Sequence, residues 1–193
     1  ITPGTKFMEL LNKSINKPGC FNFKGNIIIS GSNEPQEGEH KIFSYIRDND
    51  EYHKINNTII YGIDADLFML SLSHLKYCKN IYLYRETPVF ISSLDIKLQP
   101  EKRYVIDIYK LAEKIASKMS DNNNDLYNII DNYIFICMLL GNDFLPHFIS
   151  INIRDNAITM LIELYYKLFN NLISICQSQW KWLSSSTNAI IPI

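Results

Sequence analysis

Apolar residues recur along this chain in two rhythms. Phe7, Leu10, Leu11 and Ile15 stand three and four apart behind Pro3-Gly4-Thr5, which predicts a helix over 5–16, capped by Thr5 and broken by Pro18-Gly19. Asn26–Ser30 is a short apolar run of the buried-strand kind and ends at Gly31-Ser32. Ile42, Phe43 and Ile46 stripe a helix over 37–47, and a polar, loop-like link follows. Thr58–Ile63 reads as a second strand, Leu67–Leu75 as a helix and Asn80–Tyr84 as a third strand. Arg103–Ile106 reads as a further short strand or an extended entry. Asp107 then caps a helix with Ile108, Leu111, Ile115 and Met119 in register.

The last third is helical in pattern. Asp125 to Leu140 is apolar on nearly all faces, which predicts a buried helix stopped by Gly141-Asn142-Asp143-Phe144-Leu145-Pro146. Ile158, Leu161, Tyr165, Leu168 and Leu172 predict a long amphipathic helix over 155–175, and a tail with Trp180 and Trp182 follows. Strands alternating with helices argue a small parallel α/β sheet flanked by helices, with a C-terminal helical extension. The expected division is an α/β core over 1–150, short of its first strands, and an extension over 151–193 that continues past the chain.

Composition narrows the class. The 193 residues are 47% hydrophobic and 20% charged, as in an ordinary globular core. The longest apolar run, Tyr133 to Leu140, is far too short for a membrane span, so no membrane role is expected. The start carries no initiator Met and no signal pattern, and reads as the interior of a longer protein. Cys20, Cys78, Cys137 and Cys176 are widely spaced, which disfavours zinc and suits free thiols in a reducing, intracellular compartment, cytoplasmic or nuclear.

The candidate chemistry is acidic. Glu37 and Glu39 follow the first apolar run, Asp64 and Asp66 close the second, and Asp143 stands in the turn after the buried helix. Strand side chains alternate, so Asp64 and Asp66 share a side where the strand ends, and ligands bind at that end of an α/β sheet. Two unit charges 5 Å apart repel by roughly 3 kcal/mol at an effective dielectric near 20. Divalent cations remove that cost, and oxygen-only ligands favour Mg²⁺ or Mn²⁺ over zinc. Two such ions are the arrangement that hydrolyses phosphodiesters. Taken singly, each acid is more readily a helix cap or a partner of a helix dipole than a metal ligand. Spacing alone leaves the two readings level. The Asp-Ala-Asp pair also occurs in phosphatases and glycosyltransferases, although Phe68 stands where the phosphatase pattern has Thr.

Five motifs in order add more. Ile1-Thr2-Pro3-Gly4-Thr5 with Phe7-Met8, Ser30-Gly31-Ser32 through Glu37-Gly38-Glu39-His40-Lys41-Ile42, Tyr61 to Leu67, Arg85-Glu86, and Gly141 to His147 together resemble the amino-terminal catalytic region of the Xrn-type 5′→3′ exoribonucleases. The resemblance runs from Ile1 to about Ala157 and implies a PIN-like, flap-nuclease-like fold. It implies removal of single nucleotides from single-stranded, 5′-monophosphorylated RNA with Mg²⁺ or Mn²⁺, two ions in all. By the same resemblance Glu37, Glu39, Asp64, Asp66 and Asp143 match the metal-ligand carboxylates. His40, Lys41, Arg85 and Arg154 are candidates for RNA contact, with a scaffold role standing beside it for His40 and a surface ion pair for Arg85. A structure-specific or PIN-type endonuclease and a non-catalytic RNA-binding scaffold are the alternatives.

The departures are specific. Gln36 stands where many members carry Gly, and Thr87 follows Arg85-Glu86 where a second Glu is usual. The family also holds two more metal-site aspartates, a basic phosphate pocket and a stacking aromatic in a segment ahead of the part matched here. These 193 residues alone are therefore expected to show little or no processive activity. Net charge is −1, but setting aside the five acids leaves 15 acidic residues against 19 basic, an adequate background for a phosphate backbone.

Overall fold

A computed structural model describes residues 4–85, 95–99, 102–120, 125–142, 145–149, 151 and 156–168. The order is α1 (Lys6–Ile15), α2 (Gly38–Asp48), α3 (Asp50–Ile55), β1 (Asn57–Tyr61), α4 (Asp66–Ser73), a 3-10 turn (Leu75–Tyr77), β2 (Asn80–Arg85), β3 (Tyr104–Asp107), α5 (Ile108–Met119) and α6 (Leu126–Met138). Residues 157–168 form α7. Asp143, Arg154, Thr87, Cys176 and the tail with Trp180 and Trp182 lie outside the described residues.

Several helix starts follow from side-chain capping. Thr5 Oγ1 accepts from the Met8 amide at 3.4 Å, Asp107 from Lys110 at 3.1 Å and Asp125 from Tyr127 at 3.1 Å. Helix α6 stops at Gly141, whose φ of +83° is left-handed and whose amide donates to the Met138 carbonyl at 3.1 Å. A Cβ there would also lie 2.6 Å from the His147 backbone nitrogen, so the chain doubles back only past a glycine.

Strands β1 and β2 pair in parallel from Asn57↔Asn80 to Tyr61↔Tyr84. β3 pairs antiparallel to β2, with Arg85 opposite Tyr104 and Tyr82 opposite Asp107. The inner face presents Ile60, Ile81 and Leu83 to Phe43 and Ile46 of α2, Leu67 and Leu72 of α4, Ile108 and Ala112 of α5, and Ile130 of α6. Each such fully buried side chain contributes roughly 1.5–3 kcal/mol. A second cluster, Met119, Ile129 and Ile136, receives Leu161, Ile162 and Tyr165 of α7. The outer face is bare among the described residues: Ile59, Tyr61 and Val105 are more than half exposed, and Tyr61 stacks on Tyr84 at 5.3 Å. No described helix is long and apolar enough to cross a membrane.

The mixed α/β class and the small sheet agree with the sequence, while four local features differ from it. β3 runs antiparallel because the chain re-enters beside the end of β2 that it left, the usual manner of an edge strand on a parallel sheet. Asn26–Ser30 has no regular secondary structure and joins no ladder among the described residues. Its apolar side chains suit a strand, yet a strand also needs a partner edge, and Ile27 and Ile28 remain exposed. The link before β1 contains α3, which Asp50 and Glu51 in its first turn and Lys54 in its last suit to the helix dipole. Helix α6 buries Ile129, Ile130 and Ile136 but leaves Phe135 and Met138 exposed, so its apolar character is not buried on all sides.

One polar group in the core carries a pH dependence. His53 is 8% exposed, with Nδ1 2.8 Å from Thr58 Oγ1 and with Nε2 buried and unpaired among the described residues. Burial holds its pKa below the ordinary 6.5. The unfolded chain therefore takes up a proton first, and the stability from neutral His53 is complete above about pH 6.5 and lost as pH falls. Taking the pH from about 7 to 5 should lower the thermal midpoint of the native chain more than that of His53→Gln, measured by circular dichroism. Parallel slopes would contradict the burial. A second expectation concerns Gln36, whose φ of +78° is left-handed. A side chain there costs about 1–2 kcal/mol, against an entropic cost of about 0.5–1 for glycine. Gln36→Gly should raise stability by up to about 1 kcal/mol and Gln36→Val should lower it, both read from urea unfolding.

Candidate metal centre

Two segments build the site. The first continues β1. The Gly62 amide donates to the Tyr84 carbonyl at 3.2 Å and so extends the parallel ladder by one residue. The Arg85 guanidinium donates to the Ile63 carbonyl and lies 5.5 Å over the Phe68 ring, which ties the end of β2 to the turn. Asp64 Oδ1 then accepts from the Asp66 amide at 3.2 Å and turns the chain into α4. A Cβ at Gly62 would collide with Cδ1 of Leu67, which is 4% exposed in the core, so any larger residue there must displace that packed side chain.

The second segment is the start of α2. After the left-handed Gln36, Glu37 occupies the N-cap position, yet its carboxylate makes no capping bond. Lys41 Nζ donates to the Gly31 carbonyl at 2.7 Å, and Asn12 Nδ2 donates to Asn33 Oδ1 at 2.8 Å. These contacts fasten the loop over 31–36 to α1 and α2. His40 Nε2 lies 3.9 Å from Glu37 Oε2 on the next turn.

The segments meet at Glu39. Its carboxyl has a pKa above the usual value, first from partial burial, then from the charges of Asp64, Asp66 and Glu37, with His40 acting in the opposite sense. Four predicted carboxylates, from α2 and from the end of β1, thus share one electrostatic environment. Ligand atoms of Glu37, Glu39 and His40 lie within 4.8 Å of one another. An oxygen-rich set with surplus negative charge fits a hard divalent cation better than zinc. Asp143 and Arg154 lie outside the described residues, whereas Lys41 and Arg85 are both engaged with backbone carbonyls beside the acids.

The sequence reading singled out neither Gly62 nor the contact between Arg47 and His74. The first was visible only as a glycine between a strand and two aspartates. The second had a numerical signal: Arg47 stands eight residues after Glu39, and His74 eight after Asp66.

Comparison with known proteins places these features in a lineage. Residues 1–87 match the family described as the XRN 5′-3′ exonuclease N-terminus, and residues 123–183 match the Xrn1 helical domain. The 5′-3′ exoribonuclease 2 of Arabidopsis thaliana is 33% identical across 89% of this chain and 21% of its own length. In Schizosaccharomyces pombe, 5′-3′ exoribonuclease 1 is 31% identical across 87% of this chain and 14% of itself. The 5′-3′ exoribonuclease 2 of the same yeast is 32% identical across 86% and 20%. This chain therefore spans about a fifth or less of the length of these relatives. With both family matches in chain order and the acidic motifs in place, the chain belongs to the Xrn-type 5′-3′ exonuclease family.

Proposed function

We propose that this chain carries part of the metal centre of a 5′→3′ exoribonuclease that hydrolyses 5′-monophosphorylated, single-stranded RNA. The observation that carries the reading is the convergence on Glu39 of partial burial and then of the charges of Asp64, Asp66 and Glu37, which together raise its proton affinity. Glu37, Glu39, Asp64 and Asp66, with Asp143, would hold two Mg²⁺ or Mn²⁺ ions. When bound, such ions supply charge neutralisation at the phosphate and activate water for an in-line hydrolysis.

The residues themselves position and insulate. Asp64 spends one oxygen on the Asp66 amide, which fixes the turn and leaves the other oxygen for a cation. Arg85 uses part of its fork on the Ile63 carbonyl, and the remaining N–H groups suit a phosphate oxygen. Lys41 likewise keeps donors beyond the one given to Gly31. His40, beside Glu37, and Arg154 complete the proposed RNA contacts. RNA turnover by this route belongs to an intracellular compartment, cytoplasmic or nuclear.

Calorimetric titration with Mn²⁺ should show binding to the 193-residue chain, weakened at least about tenfold by Asp64→Asn or Glu39→Gln. Absence of binding in the native chain would favour a non-catalytic scaffold. A sign reversal gives a second check. Without divalent cation, Asp66→Asn should raise the thermal midpoint by relieving repulsion. Mg²⁺ should stabilise the native chain and leave the variant nearly unmoved. For activity, the longer protein that carries this chain should shorten RNA with a 5′-monophosphate from that end and spare circular RNA, while these 193 residues alone should show little or no processive shortening. Cleavage of the circle would establish an endonuclease instead.

A further inference from the structure

Helices α2 and α4 are related at two levels, through charge at one and through direct contact at the other. Their N-terminal ends bring Glu39 into the field of Asp64 and Asp66. Near their C-terminal ends Arg47 Nη1 lies 2.7 Å from His74 Nε2, and the Phe43 ring sits 4.6 Å from the His74 imidazole. Eight residues separate the two levels on each helix, from Glu39 to Arg47 and from Asp66 to His74. That is about 12 Å of helix in both cases. The helices therefore run side by side in the same direction, with like charges at one end and a cation–imidazole contact at the other.

The hydrogen bonds fix the form of the imidazole. A guanidinium only donates, so Nε2 must be the acceptor. The proton then sits on Nδ1, which lies 2.7 Å from the Leu70 carbonyl and 2.9 Å from Ser73 Oγ. Neutral His74 thus bridges the guanidinium of α2 to the last turn of α4. A second proton would remove Arg47's acceptor and set two cations against each other. Burial first holds the imidazole neutral, the bond to the Leu70 carbonyl opposes it, and the charges of Arg47 and Lys76 add to burial, with Phe43 and Tyr77 as the ring neighbours.

We infer that Arg47 and His74 are a positioning pair for the metal centre, holding α2 against α4 so that Glu39 meets Asp64 and Asp66. The inference rests on the proposed metal reading of those acids. The repulsion that separates the N-terminal ends is opposed at the C-terminal ends by a directional contact, with Phe43 as the apolar fulcrum between them. Neither residue touches the ion; both act through the geometry of the helices that carry its ligands.

The test is Mg²⁺ titration of the 193-residue chain near pH 7.5, with circular dichroism as the folding control. Arg47→Met and His74→Phe should each weaken binding about tenfold, and the double variant should be no weaker than the poorer single one, as for residues acting as a unit. Arg47→Lys, which keeps a donor for Nε2, should recover most of the loss. A native chain that binds no Mg²⁺ overturns the metal reading and the pair together. Binding that is lost in Asp64→Asn but intact in Arg47→Met and His74→Phe overturns the pair alone. If a substituted chain does not fold, the native chain decides by the imidazole resonances of His74 followed across pH with and without saturating Mg²⁺. A tenfold coupling must act reciprocally, so bound Mg²⁺ should lower the His74 midpoint by about one pH unit. A midpoint that Mg²⁺ does not move overturns the pair.

Discussion

Mutual repulsion among carboxylates is the constraint that the rest of the structure serves. Glu37 and Glu39 stand at the start of α2, while Asp64 and Asp66 stand where β1 turns into α4. Two helix N-termini therefore face the same cluster, and each offers about half a positive charge, worth about 0.3–1 kcal/mol to a nearby acid. Unit charges about 5 Å apart would repel by roughly 3 kcal/mol. Partial burial first, and then the charges of Asp64, Asp66 and Glu37, raise the proton affinity of Glu39 in spite of the helix ends. The backbone around the acids is accordingly overdetermined, by the Gly62 ladder bond, by Arg85 on the Ile63 carbonyl and by Lys41 on the Gly31 carbonyl.

How much of this was legible depends on the kind of interaction. Local chemistry read well: Thr5 and Asp107 cap the helices that their positions announced, and Gly141 ends α6. Parallel pairing of β1 and β2 followed from the helix between them. Properties that depend on a partner read poorly. Asn26–Ser30 has the side chains of a strand and no ladder among the described residues, and α6 has the composition of a buried helix but keeps Phe135 in the open. Helix α3 was hidden because its sequence is polar, and its signal lay in charge order along the dipole. The direction of β3 was illegible for a different reason, since it depends on where the chain re-enters the sheet.

The site divides in the same way. Spacing could bring Asp64 and Asp66 to one side of a strand end, but it left their helix-capping and metal-binding roles level. In the structure Asp64 fixes the turn ahead of α4 with one oxygen and still charges the environment of Glu39. Gln36 looked like a tolerable departure from a family glycine. Its left-handed φ explains why glycine is favoured there and what the substitution costs. His74 carried no recognisable motif. Its partner Arg47 lies 27 positions away, and only the packing of Phe43 against the imidazole brings them together.

The empty space above Gly62 has a wider meaning. Leu67 fills it, and Leu67 is at once the neighbour of Asp66 in sequence and a member of the main core. Interior and chemistry are thus welded at one point, with no compliant spacer between them. Substitutions at Gly62 or Leu67 would therefore move Asp64 and Asp66 without altering either carboxylate. The acids would be lost through carpentry rather than through charge.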